Sequence, residues 1–187
     1  MRVTEQYVFF HGWQDIYSQW YPYAPFDYHG IVFKTAEHWM MVHKVIFHVH
    51  RGKSVREIKE IIKEEENFFD ETSRHSKNSI YEMLIAPTPK EVKALGKNVT
   101  PFFKEPWEEH VPSVLYKGNH LKFTQNQAIF EQFKEMRGKI FVEASLTDRI
   151  YGVGLSQDDP RIEDPYNWRG RGLLGIEITK LNRDLFG

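Results

Sequence analysis

The sequence predicts an α+β fold, mainly α-helical with a few short strands, in a single domain that spans residues 1–187. Three observations predict it. Several long segments repeat apolar residues at helical spacing, whereas the segments that suit β-strands are short. No repeat, low-complexity tract or linker divides the chain. A chain of 187 residues can bury about 70% of its unfolded surface.

Three apolar segments, at 7–10, 31–33 and 139–144, predict strands. They are rich in the β-branched and aromatic residues that favour a pleated, half-buried surface. Prolines and a glycine between 22 and 30 indicate turns between the first two segments.

The first two helices are predicted by their caps. Thr35 is a suitable N-cap for a helix that runs through Ile46 and ends at Gly52. Ser54 and Glu57 match a capping box, which opens a second amphipathic helix.

The middle of the chain alternates loops with shorter elements. The polar segment 67–79 predicts a loop, and 80–85 predicts a short helix or strand. Thr88 then opens a short helix with proline at its first position, and Gly96 is expected to close it.

Two or three helices are predicted before the third strand. One begins at Trp107, and Pro112 is expected to break or kink it. Segments 115–123 and 126–136 also suit helices, with Gly138 as the stop.

The last helix has a single apolar stripe, because its large aliphatic residues recur at intervals of four, three and four. The loop before it, 155–172, is rich in Asp, Pro, Arg and aromatic residues, and such loops are usually functional or mobile. The residues of the stripe are Leu174, Ile178, Leu181 and Leu185.

Composition excludes several classes of protein. A net charge of −1 provides no global field for DNA or an acidic membrane. The absence of cysteine excludes disulfides, thiol nucleophiles and thiolate zinc sites. No stretch resembles a signal peptide or the roughly 20 apolar residues of a membrane span. We therefore expect a soluble, cytoplasmic protein, in which the aromatic content of 15% serves a flat ligand or the core.

The segment 143–155 carries the strongest functional signal. It begins as a strand and then places hydroxyls, the carboxylate of Asp148, an arginine and Tyr151 before Gly152 and Gly154. Polar groups on a loop held by a rigid strand are typical of a site. A purely structural interpretation of Asp148 is an Asx-turn or a helix cap, which Asp forms readily. A functional interpretation is an acid, a base or a ribose-binding carboxylate.

Glu37 and Lys44 lie on the same face of the first predicted helix. Glu37 falls in the first turn, where a carboxylate complements the helix dipole, and this interpretation is favoured by spacing alone. A functional Glu37 would orient water or stabilise a sugar cation. Lys44 would pair with a phosphate or lie in solvent.

Two other patterns are less specific. Arg169 and Arg171 precede the last helix among glycines, a plausible pyrophosphate site, although a solvated loop is an equal alternative. Of the nine histidines, His43, His48 and His50 lack the spacing of a metal motif, so we predict no metal and no cofactor.

Taken together, the motifs resemble those of the NADAR family, whose best-known members are YbiA-like proteins. The matches follow family order over nearly the whole chain. They are FKTAEHWM at 33–40, LGK at 95–97, Trp107, KFTQN at 122–126, EAS at 143–145, DRIYGVG at 148–154 and GRGLLG at 170–175.

The resemblance implies hydrolysis of an N-glycosidic bond. Similar proteins release ribose from phosphorylated aminopyrimidines of riboflavin synthesis, or ADP-ribose from modified guanine. It implies that Glu37 and Asp148 are the acidic pair, with Lys44 and Trp107 near the substrate. By analogy with O-glycosidases, our hypothesis is that Asp148 acts on water or the sugar cation and that Glu37 orients substrate or transfers a proton. The expected substrate-binding residues are Lys44, Trp107, Tyr151, Gly152, Arg169 and Arg171.

Three positions depart from the family pattern. Tyr151 replaces the usual Trp, Gly172 replaces Asn, and Gln19 replaces Asn. Such changes can alter substrate choice, because a site built for particular hydrogen bonds rejects ligands that lack them.

Two other functional classes remain as alternatives to the enzyme. One is a non-catalytic module that senses ADP-ribose or an NAD-derived nucleotide, and the other is a structural or partner-binding protein. The expected partners are a small nucleotide or an ADP-ribosylated base, with ADP-ribosylated nucleic acid as a further candidate. No membrane association is expected.

Overall fold

The computed structural model of the protein describes residues 1–70 and 77–187. The fold is α+β and mainly helical, as predicted. In the described residues the strands are β1 (Arg2–Val3), β2 (Tyr7–Phe10), β3 (Phe26–Tyr28), β4 (Ile31–Phe33) and β5 (Ile140–Glu143). The helices are α1 (Ala36–Val49), α2 (Val55–Phe68), α3 (Ile80–Ile85), α4 (Pro89–Lys97), α5 (Lys104–Thr124), α6 (Gln127–Glu135) and α7 (Leu173–Phe186).

The strands form two small sheets. In the first, β2 lies between antiparallel β1 and parallel β5, and in the second β3 pairs with β4 as a hairpin. Tyr7 is the register partner of Ile140, and Phe10 is the partner of Glu143. The segments that follow β2 and β5 therefore leave the sheet at the same end.

Helix α7 covers the free edge of β5. The backbone N–H of Phe141 has no strand on that side, and it donates to Thr179 Oγ1 at 2.9 Å. Gly175 lies against the Phe141 carbonyl, where any side chain would collide with backbone. This close approach explains why a glycine occurs beside the apolar stripe of α7.

The buried helix α1 packs against α4 and α5. The indole N–H of Trp39 donates to the carbonyl oxygen of Val114 at 2.9 Å. Gly96 of α4 lies against Met41 of α1, and α4 ends at Lys97, one residue after the end predicted at Gly96. The glycine is required because α1 approaches α4 closely at this position, and not because the chain turns there.

Helix α5 is continuous from Lys104 to Thr124, so of the break or kink expected at Pro112 the break does not occur. Proline removes one backbone donor, but buried residues on both sides hold the helix against the core. Trp107 and Val111 precede the proline, and Val114 follows it. Tertiary packing therefore outweighs the local cost of proline.

The predicted caps are confirmed. The side chains of Thr35, Ser54 and Thr88 each accept a backbone N–H at the start of α1, α2 and α4. Segment 80–85 is a helix, and the predicted loop 67–79 begins after Phe68, with 71–76 outside the described residues.

The loop before α7 contains two short 3₁₀ helices, Pro160–Glu163 and Pro165–Asn167. Across the described ranges 1–70 and 77–187, no helix is both long enough and apolar enough to traverse a bilayer.

Candidate active site

Glu37 points inward from the first turn of α1 and is 2% exposed. Its backbone N–H donates to the Gln19 carbonyl oxygen at 3.0 Å, and the Trp20 indole hydrogen-bonds to its carboxyl group. Its buried Oε1 has no hydrogen-bond partner among the described residues. Burial raises the pKa of Glu37 to about 7, although Lys93 opposes the rise. A carboxyl that only complemented the helix dipole would not need this burial.

Glu143, the last residue of β5, faces the same region. Its Oε2 is buried and lacks a hydrogen-bond partner in the described part of the chain. Burial raises the pKa of Glu143 to about 8, and the charge of Asp148 adds to the rise. The sequence placed Glu143 at the start of the loop and in a family motif, without a role in the site. Its position at a strand end, before the polar loop, was the available signal.

Asp148 forms a tight turn in the loop that follows β5. Its Oδ1 accepts from the backbone N–H groups of Ile150 at 2.9 Å and Tyr151 at 2.8 Å. Its own N–H donates to Ser145 Oγ at 3.1 Å. The Asx-turn interpretation is therefore correct, and the turn also fixes the carboxylate in place.

Glu37, Glu143 and Asp148 form a group that we call the carboxyl cluster. The charge of Asp148 raises the pKa of both glutamic acids, and Glu37 also raises that of Glu143. Mutual repulsion and burial together keep protons on this cluster near neutral pH. The two predicted catalytic residues thus lie in one electrostatic neighbourhood, together with a third that was not predicted.

Tyr151 joins the cluster to α5. Its hydroxyl is hydrogen-bonded by the Trp107 indole, and burial raises the pKa of Tyr151 to about 12. The charges of Glu37 and Asp148 contribute to this rise. Trp107 itself is 5% exposed, so its contribution in this structure is to hold Tyr151 and to pack against Phe47.

Two lysines flank the carboxyl cluster. Lys44 Nζ donates to the Gly96 carbonyl oxygen at 2.7 Å and lies 4.4 Å from the centre of the Phe102 ring. Burial lowers the pKa of Lys44, while Glu37 opposes the change. Lys93, half-buried on α4, lowers the pKa of both glutamic acids of the cluster. Lys93 was missed because its spacing is ordinary for an amphipathic helix.

The two predicted arginines, Arg169 and Arg171, interact with groups outside the carboxyl cluster. Arg171 Nη1 forms a salt bridge with Glu108 Oε2 at 2.8 Å. Arg169 is exposed, and its charge acts on Asp159. A phosphate would therefore compete with Glu108 for Arg171.

Gly152 is required by the shape of the loop. A Cβ atom there would lie 2.9 Å from both the Asp148 carbonyl oxygen and Ser145 Cβ. Its structural contribution is thus to let the loop close on Asp148, and any substrate contact remains a prediction.

One of the departures from the family pattern has a structural explanation. Gly172 is left-handed, with φ 63° and ψ 28°, a conformation that both glycine and asparagine adopt readily. Gln19 is buried and its backbone carbonyl holds Glu37, but its Oε1 has no partner within residues 1–70 and 77–187, so nothing in the structure explains glutamine in place of asparagine.

The histidines of α1 have structural contacts. His43 Nδ1 lies 2.9 Å from the Trp39 carbonyl oxygen, and burial lowers its pKa to about 4. His48 Nδ1 accepts from the Phe103 N–H at 3.3 Å. Within the described ranges, no three His, Asp or Glu side chains are grouped to hold a metal.

Two cavities lie away from the carboxyl cluster. One, of about 530 Å³, follows α2 beside Lys59, and one of about 400 Å³ lies between β5 and α7 beside Trp168. The buried unpartnered oxygens and perturbed pKa values, rather than cavity size, identify the site.

Comparison with known families defines the class of protein. The model of the NADAR domain matches residues 3–186. Because this match spans nearly the whole chain, the protein belongs to the NADAR family, as its motifs indicated.

Individual relatives agree with this assignment. N-glycosidase R617 of Acanthamoeba polyphaga mimivirus is 31% identical over 192 residues, which cover 97% of each chain. Protein irg-1 of Caenorhabditis elegans is 34% identical over 111 residues, 57% of this chain and 52% of its own. The NMR structure of the E. coli protein YbiA has a TM-score of 0.65 at 16% identity, covering 98% of this chain and 87% of its own. That likeness concerns the fold.

The family and the viral relative confirm the coarser functional prediction. The chain is an enzyme of the hydrolase class that acts on N-glycosyl bonds.

Proposed function

We propose that this protein releases a ribose phosphate or ADP-ribose from a base nitrogen, with ADP-ribosylated guanine or a riboflavin-pathway aminopyrimidine ribotide as substrate. The observation that carries the proposal is the carboxyl cluster. It combines a carboxylate held by two backbone N–H groups with two glutamic acids whose pKa values are raised to about 7 and about 8.

The cluster suits the chemistry of this bond. As the bond between the anomeric carbon and nitrogen breaks, positive charge develops on the sugar ring and the leaving nitrogen needs a proton. Asp148 stabilises the cation and accepts a proton from the water that attacks the anomeric carbon. Glu37 or Glu143, protonated near neutral pH, gives the leaving nitrogen its proton. Water oxygen ends on the sugar, and the base leaves neutral.

Cationic and aromatic side chains complete the proposed site. Lys44 and Lys93 flank the cluster and would bind the phosphate of the substrate. Tyr151 and the half-buried Trp20 offer rings to the base. Arg171 would bind phosphate after releasing its salt-bridge partner Glu108. Arg169 would bind phosphate from the exposed loop.

The test incubates the protein separately with ADP-ribosylated guanosine and with the aminopyrimidine ribotide. Release of base and sugar is expected from one of them, and it should be lost in Asp148→Asn and Glu37→Gln. Asp158→Asn, an exposed carboxylate in the loop before α7, is the control and should retain activity. Tight binding without release, unchanged in the two cluster variants, would instead show a nucleotide-sensing module.

A further inference from the structure

Lys122 is a lysine of α5 that is 0% exposed. Its Nζ donates to the Ser18 carbonyl oxygen at 2.7 Å. Burial lowers its pKa to about 7, and no carboxylate forms an ion pair with it among the described residues. Because burial of this amino group without a counterion opposes folding, by desolvating the ammonium or by removing its proton, Lys122 requires an explanation other than stability.

The carbonyl that Lys122 holds begins the turn 18–20, which carries the contacts of Glu37. Ser18 Oγ accepts the Trp20 N–H at 3.1 Å within this turn. The next residue, Gln19, accepts the backbone N–H of Glu37 at 3.0 Å. The indole of Trp20 then hydrogen-bonds to the Glu37 carboxyl group. Three successive residues thus connect Lys122 with the backbone and the side chain of Glu37.

The connection is mechanical rather than electrostatic. The charges that shift the pKa of Glu37 belong to Lys93, Asp148 and Lys44. Any effect of Lys122 on Glu37 is therefore transmitted by the position of the turn.

We propose that Lys122 is a positioning residue, which fixes the turn 18–20 and thereby orients the Glu37 carboxyl group for proton transfer. The kinetic part of this proposal rests on the proposed function. Its structural part, the link between Lys122 and the ionisation of Glu37, is measurable without any substrate.

The experiment compares Lys122→Met with Lys117→Met, an exposed lysine of the same helix. Methionine preserves the volume and removes the donor. Thermal melting reports stability, NMR titration of the Glu37 carboxyl carbon reports its pKa, and steady-state hydrolysis of ADP-ribosylated guanosine reports kcat and KM.

Lys122→Met should keep a Tm equal to or above that of the wild type, since the buried ammonium is gone. The pKa of Glu37 should rise, because the Trp20 hydrogen bond that lowers it is loosened. The kcat should fall about ten- to a hundredfold with little change in KM, and its pH profile should move to higher pH. Lys122→Gln, whose amide still donates, should lie between the wild type and Lys122→Met, whereas Lys117→Met should match the wild type.

An unchanged Glu37 titration together with an unchanged kcat in Lys122→Met would overturn the proposal. Failure of both Lys122 variants to fold would do the same, because Lys122 would then serve the fold. If the wild type hydrolyses neither substrate, the proposed function fails, and the Glu37 titration still decides the role of Lys122.

Discussion

Phe10 and Glu143 are register partners at the carboxyl ends of the parallel strands β2 and β5. Because both strands leave the sheet at this end, the segment after β2, whose turn 18–20 holds Glu37, and the loop 144–155 after β5 begin on the same side of the sheet. Glu37 reaches the same region from α1. The carboxyl cluster therefore depends on a pairing between strands that lie far apart in the sequence.

Replacing Asp148 should separate its structural role from its chemical role. Asp148→Asn keeps an oxygen that accepts from Ile150 and Tyr151, so the loop should hold its shape. Its kcat should nevertheless fall by about 10²–10⁴-fold, because the amide neither accepts a proton nor balances a cation. Asp148→Ala should lose both the activity and the turn. Melting temperatures and hydrolysis rates of the two variants check this, and equal melting temperatures would contradict the role of the turn.

Glu143→Gln should make the free energy of unfolding less dependent on pH. Burial raises the pKa of Glu143 from an ordinary 4.5 to about 8. Between these values the folded protein keeps a proton that the unfolded chain has released, so stability falls as pH rises through this window. Glutamine does not ionise, and the variant should gain roughly 1–3 kcal/mol relative to the wild type between pH 5 and pH 8. Urea unfolding at both pH values measures the gain.

The control for this prediction is Glu66→Gln, an exposed residue of α2. Its stability should parallel that of the wild type at both pH values. Parallel behaviour of Glu143→Gln as well would show that Glu143 is not protonated in the folded protein.

Tyr151→Phe should destabilise the fold because it removes the hydroxyl that binds the Trp107 indole. The change leaves the indole N–H of the buried Trp107 without the hydroxyl that binds it. An unsatisfied buried donor costs about 1–3 kcal/mol. Trp107→Phe removes the other side of the pair, and the double variant should cost less than the sum of the single changes. Urea denaturation measures this coupling, and Tyr166→Phe, at an exposed residue, should be neutral.

Gly172→Asn should be tolerated better than Gly172→Val. The backbone at Gly172 is left-handed, which asparagine adopts readily and a β-branched residue does not. A Cβ atom would lie 3.2 Å from Val153 Cγ1, which is tight but not prohibitive. We expect a loss below about 1 kcal/mol for asparagine and a larger loss for valine. Equal losses in denaturant titrations would show that the conformation is not the reason for glycine here.

Lys93→Gln should raise the pKa of Glu37 and of Glu143, because Lys93 lowers both. The limb of the pH–rate profile that reports Glu37 should move to higher pH. The KM for a phosphorylated substrate should also increase if Lys93 binds its phosphate. Lys97→Gln, an exposed lysine later in α4, is the matched control and should change neither quantity. A higher KM with an unchanged pH–rate profile would show that Lys93 binds substrate but does not influence the ionisation of Glu37.

Local patterns in the chain predicted most of the elements correctly. The caps at Thr35, Ser54 and Thr88 depend on neighbouring backbone groups, so their signal is local. The break expected at Pro112 does not occur, and the glycine at Gly96 has a reason that the local pattern did not show, because both depend on contacts with distant parts of the chain. Burial on both sides keeps α5 intact at Pro112, and the approach of Met41 accounts for Gly96.

The residues of the candidate site were likewise predicted only in part. Glu37 and Asp148 were proposed from a helix start and an irregular loop, and family motifs supported them. Glu143 and Lys122 lie in family motifs but were given no role, and Lys93 was not singled out, since local spacing does not show which side chains are buried together.

The sequence by itself determined the fold class, the principal helices and the family, because periodicity, caps and ordered motifs are properties of neighbouring residues. Only the tertiary structure decided which charged groups meet, which of them lose water and which retain protons. Desolvation and repulsion act through space, so the pKa values of Glu37 and Glu143 follow from the packing of β5, α1 and α4 around them.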